Sequence, residues 1–196
     1  MLDSKARKTI QPIFEWSANF FIKRNISANQ VTLIAFVIGL IPSLLIYFGV
    51  PSLIAIVVLW ISGFLDAVDG TVARKTKTSS PFGTIMDITF DRIVEISLIL
   101  VFALKFSDNV FAFVLLACAI IVSMTIFLTV GAASDKVSEK TFYYQAGLAE
   151  RTEGFIMFSI MALLPQYIDI LAFIFAGLII FTALQRFREA YKFFKN

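Results

Sequence analysis

Asp66, Asp69, Asp87 and Asp91 lie in stretches that are otherwise almost wholly apolar. Carboxylates are among the side chains a membrane span tolerates least, and one found there marks a functional site. The first pair is spaced i, i+3 and the second i, i+4, so each pair shares one face of a helix. Two helices that each offer two carboxylates to a common point make an oxygen-ligand site for hard divalent cations. Four carboxylates cannot stay ionised together in a low-dielectric cavity without cations. Two divalent ions would neutralise them, and two-metal sites stabilise in-line displacement at phosphorus. Ala73 continues the Asp66–Asp69 face one turn on, and Gly70 and Ala73 are small enough for a flat group to approach closely. Arg74 follows, with a planar fork of donors suited to a phosphate or diphosphate. Gly83 permits close approach one turn before Asp87. The parts describe phosphoryl-group chemistry at a membrane face.

The elements that must carry these residues are membrane helices. The 196-residue chain is 59% hydrophobic and 16% charged, against about 45–50% and about 25% for soluble domains, and its mean hydropathy is +0.85. There is room for one membrane domain over residues 1–196. Spans need about 20 apolar residues, and the sequence predicts six, near 30–48, 52–74, 82–105, 109–132, 148–164 and 168–194. The bundle then covers 30–194. Connections alternate between tight, uncharged turns such as Gly49-Val-Pro-Ser52 and longer basic segments around Arg74–Lys77 and 134–151. By the positive-inside bias both termini are cytosolic, as is the mouth of the aspartate site. Residues 4–23 form an amphipathic helix in the cytosolic interface. Ile10, Ile13, Phe14, Phe20 and Phe21 fall roughly on one stripe, with Trp16 as an anchor. Packing of that helix on the bundle is an equal alternative. The first residues lack the pattern of a secretory signal. There is no histidine, which excludes His-ligated metal sites and any Ser-His-Asp triad. Cys118 is the only cysteine, so no intrachain disulfide forms.

The pattern D-x-x-D-G-x-x-A-R, eight residues, then G-x-x-x-D-x-x-x-D runs from Asp66 to Asp91 with every fixed position met. It resembles the signature of the class I CDP-alcohol phosphotransferases (CDP-alcohol phosphatidyltransferases). The size, the all-α six-span plan and the N-terminal helix extend the resemblance along the chain. The resemblance implies transfer of a substituted phosphate from a CDP-linked donor, usually CDP-diacylglycerol, to an alcohol, with release of CMP. It implies Asp66, Asp69 and Asp87 as metal ligands and Asp91 as a ligand of a second ion and general base. Two Mg²⁺ ions, with Mn²⁺ as a substitute, are the implied cofactors. Asp69, Gly70, Ala73, Arg74 and Gly83 would hold the cytidine and diphosphate. The family's Asn-x-x-Thr element is matched by Asn29 and Thr32, for which a helix cap is the structural alternative. Ala28 stands where the family often has proline. Ser80 matches a family serine or threonine three residues before the motif glycine. A homodimer is implied by the resemblance alone, and nothing points to nucleic acid.

The acceptor is less defined. Gly147 to Glu153 resembles a stretch of inositol-phosphate-type members in which the arginine, here Arg151, helps bind an acceptor phosphate. Arg186 and Lys136 are the other basic candidates, with positive-inside anchoring as the alternative. The basic residue and tyrosine that those members carry after span four are absent from Thr129-Val-Gly-Ala-Ala-Ser134. A phosphorylated acceptor such as glycerol 3-phosphate or inositol 1-phosphate leads. A neutral or zwitterionic alcohol such as serine, and water in a hydrolase, stay open. A divalent-cation transporter accounts for the acids but not for Gly70, Ala73, Arg74 or Gly83.

Overall fold

The computed structural model describes residues 2–134 and 151–195, with side chains from 11 to 133 and from 151 to 195. The described residues are helical: α1 (Leu2–Lys23), α2 (Ala28–Tyr47), α3 (Ser52–Thr76), α4 (Pro81–Lys105), α5 (Val110–Ser134), α6 (Arg151–Leu163) and α7 (Ile168–Lys195), with short 3₁₀ turns before α5 and α7. Helix limits agree with the sequence reading to within a few residues. Four stretches among the described residues are long and apolar enough to cross a membrane: Ala28–Tyr47, Ser52–Thr76, Ser107–Ala133 and Pro165–Lys195. α4 has the length, 25 residues, but carries Asp87, Asp91, Arg92 and Glu95 between its second turn and its middle. α6 is described over 13 residues. The predicted spans three and five therefore do not stand out by length and composition. The chain divides into two compact units, residues 3–105 with α1 to α4, and the chain from Phe106 onward with α5 to α7.

Turn chemistry fixes the first unit. Asn25 takes the left-handed conformation at φ 57°, which asparagine tolerates better than most residues. Ser27 then caps α2 in a reciprocal box: its Oγ accepts from the Gln30 N–H at 3.3 Å and its own N–H donates to Gln30 Oε1 at 2.8 Å. The cap of α2 is thus Ser27, and the alternative reading of Asn29 and Thr32 as caps is set aside. α3 ends where Lys77 turns left-handed (φ 56°) and the Thr78 N–H donates to the Ala73 carbonyl. At the start of α4 the Gly83 N–H donates to Ser80 Oγ at 3.0 Å, and Pro81, which has no N–H to satisfy, occupies the first helical position.

Inside this unit α2 packs on both α3 and α4. Gly39 explains the approach: a Cβ there would lie 2.7 Å from both Ser62 Oγ and Val94 Cγ2. The contact is reinforced by polar bonds of the kind that hold membrane helices together. Ser62 Oγ donates to the Ala35 carbonyl at 2.7 Å, and Ser43 and Ser97 share a hydrogen bond of 2.7 Å. Phe36 stacks on Phe90 with centroids 4.2 Å apart. α1 lies against α3 and the start of α2 through Ala18, Phe14, Phe21 and Ile22 on Ala28, Phe64, Val68, Val72 and Ala73. Lys75 Nζ adds a bond to Asn19 Oδ1 at 2.9 Å. The predicted stripe of α1 therefore splits: Phe14 and Phe21 pack inward, while Ile13, Phe20 and Trp16 (73% exposed) face away. In the second unit α7 packs on α5 and α6. Phe111 meets Phe173, and Phe158 meets Phe175 edge-on at 5.3 Å.

Candidate active site

α3 and α4 bring Asp66, Asp69 and Asp87 together. One carboxylate oxygen from each lies within 4.8 Å of the others. Asp69 is buried at 7% exposure. The Thr32 hydroxyl of α2 donates to its Oδ2 in a short bond and also lies 3.1 Å from the Ala28 carbonyl. Asp87 Oδ1 is buried with no hydrogen-bond partner. A buried carboxylate oxygen without a donor is costly unless a cation or proton meets it. Three hard oxygen ligands within reach of one point, one of them orphaned, fit a divalent cation such as Mg²⁺ or Mn²⁺. Asp91 is partly buried one turn beyond Asp87 and stands outside that triad.

A cavity of about 160 Å³ adjoins the triad. Its lining holds every residue that the resemblance implies for the CDP donor: Asn29, Thr32, Asp69, Gly70, Ala73, Arg74, Ser80 and Gly83, together with Asp87. The sequence reading missed Thr78, Ser79 and Thr84, which add hydroxyls, and Ala28. For Thr78 and Ser79 the signal was the run Thr76-Lys-Thr-Ser-Ser80, rich in hydrogen-bonding side chains just after the motif arginine.

The small residues have local reasons. The Arg74 guanidinium folds back along α3, donating from Nη2 to Thr71 Oγ1 at 3.0 Å, and a Cβ on Gly70 would sit 3.2 Å from Nη1. At Gly83 a Cβ would come 3.2 Å from Asn29 Oδ1 and 3.3 Å from Ser80 Oγ. Gly83 thus lets the Asn29 amide rest against the first turn of α4. Ser80 is engaged as the cap of α4 as well as lining the cavity.

The acceptor candidates fall in the second unit. Arg151 opens α6 with its guanidinium 5.5 Å from the Phe155 ring centroid. Arg186 on α7 is buried, 5.0 Å from the Phe127 ring. Each guanidinium thus lies over an aromatic ring at cation–π distance. Lys136 lies outside the described residues.

Fold and site together define a helical membrane protein with an acidic cluster, able to hold a cation, beside a polar, hydroxyl-lined cavity. The model of the CDP-alcohol phosphatidyltransferase family matches residues 25–185, and the chain belongs to that family. It is therefore a membrane-bound transferase of phospholipid synthesis. It is 28% identical to the inner membrane protein YnjF of Escherichia coli, over all of this chain and 98% of that one. It is 29% identical to the phosphatidylinositol phosphate synthase of Corynebacterium glutamicum, over 95% of this chain and 87% of that one. The fold is shared with the Mycobacterium tuberculosis phosphatidylinositol phosphate synthase, solved with CDP-DAG bound. There the TM-score is 0.71 at 20% identity, over 92% of this chain and 94% of that one. The same mycobacterial enzyme, in complex with manganese and citrate, gives a TM-score of 0.73 at 19% identity, over 91% of this chain and 88% of that one.

Proposed function

We propose that this enzyme transfers the phosphatidyl group of CDP-diacylglycerol to an alcohol that itself carries a phosphate, inositol 1-phosphate or glycerol 3-phosphate, with Mg²⁺ as cofactor. The observation that carries the reading is the adjacency of the Asp66–Asp69–Asp87 triad to a cavity lined by the donor residues. The manganese in the mycobacterial relative supports a divalent ion here. The name of the corynebacterial relative supports a phosphorylated inositol as acceptor.

In this reading Asn29, Thr32, Gly70, Ala73, Arg74, Ser80 and Gly83 hold the cytidine and diphosphate. Asp66, Asp69 and Asp87 would hold one cation, with Asp91 a ligand of a second. Bound divalent cations neutralise the diphosphate and the charge that develops at phosphorus. Asp91 takes the proton of the acceptor hydroxyl. The hydroxyl oxygen forms a bond to the phosphorus next to the lipid, and the bond from that phosphorus to the CMP oxygen breaks. CMP leaves with the electron pair. Arg74 orients the diphosphate for in-line attack. Arg151, Arg186 and Lys136 receive the acceptor's phosphate. The bundle crosses the cell membrane six times with both termini and the site on the cytosolic side. α1 lies in the interface through Ile13, Trp16 and Phe20, and the enzyme works as a homodimer.

The test is CMP release by the purified protein with CDP-diacylglycerol and Mg²⁺, against glycerol 3-phosphate, inositol 1-phosphate, inositol, serine and buffer alone. Stimulation by a phosphorylated acceptor is expected. Stimulation by serine or free inositol refutes the acceptor assignment, and full release in buffer alone makes the enzyme a hydrolase.

A further inference from the structure

Arg92 and Glu95 follow Asp91 on α4. Arg92 Nη1 lies 2.5 Å from Glu95 Oε2, and Glu95 is buried at 7% exposure. Arg92 Nε is buried with no hydrogen-bond partner, so Glu95 satisfies one edge of the guanidinium only. Neither residue lines the donor cavity or belongs to the aspartate triad. Burying an ion pair costs several kcal/mol per ion, and apolar side chains in its place are often neutral or stabilising. Packing alone does not account for this pair, and on the proposed six-span plan it is intramembrane, where a charged pair points to function.

Placement and charge say which function. At 3.6 residues per turn Glu95 falls about 40° from Asp91 around α4, on the stripe that continues into the fully buried Leu98 and Phe102. Glu95 thus marks the boundary between the carboxylates and the apolar core. Val94 beside it abuts Gly39 of α2. Between Pro81 and Leu104, Arg92 is the only basic residue. The four aspartates and Glu95 give five negative charges, and Arg92 leaves a net of four, the charge that two divalent cations balance.

We propose that Glu95 is a positioning residue for the metal site: it neutralises the one cation α4 carries beside Asp87 and Asp91, so that the four aspartates keep their full charge for the metal. This rests on the metal reading of the aspartates. The electrostatics have a sign. Removing Glu95 exposes the site to the bare field of Arg92 and weakens cation binding. Removing Arg92 leaves an extra negative charge and does not weaken it. Removing both restores the original net charge.

The experiment is Mn²⁺ titration of the full chain in detergent, reading free Mn²⁺ by electron paramagnetic resonance, with thermal unfolding recorded separately. Glu95→Gln is expected to raise the half-saturating Mn²⁺ concentration roughly tenfold, within the range for contacting charges. Arg92→Gln is expected to bind as tightly as wild type or more tightly, and the double variant to return to within about threefold. A merely structural pair would lower thermal stability in both single variants without opposite shifts in Mn²⁺ affinity. Weaker binding in Arg92→Gln, an unchanged titration in Glu95→Gln, or a double variant as weak as Glu95→Gln overturns the proposal. If Glu95→Gln does not fold, Arg92→Gln and the double variant decide on the same criteria. A wild type that binds no Mn²⁺ overturns the metal reading itself, and the two failures are distinguished in the wild-type control.

Discussion

Replacing Thr32 with valine keeps the shape of the side chain and removes one hydroxyl. That hydroxyl has a single hydrogen and two acceptors, the Ala28 carbonyl at 3.1 Å and the much closer Asp69 Oδ2. Thr32 is 5% exposed and Asp69 is also buried, so bulk water has little access to the oxygen that loses its donor. A hydrogen bond to a charged group contributes about 1.5–3 kcal/mol. At about 1.4 kcal/mol per tenfold that is roughly 10- to 150-fold in a binding constant. The loss falls on the carboxylate placed to hold the cation, so the half-saturating Mn²⁺ concentration rises by that factor. Thr32→Ser keeps the donor and stays near wild type. The start of α2 is untouched in both variants, because Ser27 and Gln30 cap it. A Thr32→Val titration within threefold of wild type refutes the reasoning. The hydroxyl would then only back-bond to its own helix.

Three further outcomes follow from the same geometry. Asp91→Asn removes the proposed base and is expected to lower CMP release at least about 10²-fold, while CDP affinity stays within a few-fold; normal turnover refutes that role. Gly39→Ala forces a methyl to within 2.7 Å of Ser62 Oγ and Val94 Cγ2. Overpacking of this kind costs about 1–3 kcal/mol, to be read as a lower melting temperature in detergent, and an unchanged melting temperature contradicts the close α2 contacts. Ser27→Ala removes the α2 cap and is expected to cost about 1 kcal/mol with Mn²⁺ affinity unchanged, the reverse of the Thr32→Val pattern.

Much of the site was legible because the chemistry is written at fixed spacing. Asp66 and Asp69 share one helix face by period, as do Asp87 and Asp91 on another helix, and the structure brings oxygens of Asp66, Asp69 and Asp87 together. The donor residues implied by the motif all line one cavity. Period gives a face and not a distance, so the spacing alone did not separate Asp91 from the triad; only the resemblance set it apart, as a ligand of a second ion. The sequence also did not reveal that the Thr32 hydroxyl reaches Asp69 from another helix. Ser80 carries a capping role that only the start of α4 makes visible. Glu95 escaped notice because it lies beyond the last motif position, and its burial and pairing are tertiary facts. α1 shows the limit of a stripe argument. Ile13 and Phe14 are neighbours in sequence, yet one is exposed and the other packs on Phe64 with centroids 5.4 Å apart. Loop alternation predicts α4 as a span, and its charges are why it does not stand out by composition.

The central claim is that the aspartate triad and the adjoining cavity form one phosphoryl-transfer centre. Crystals of the protein grown with Mn²⁺ and CDP, measured at the manganese absorption edge, test it most directly. The account predicts an anomalous peak within ligand distance of Asp66, Asp69 and Asp87, with the nucleotide beside Gly70 and Arg74. Manganese absent from the triad, or CDP bound elsewhere, contradicts it.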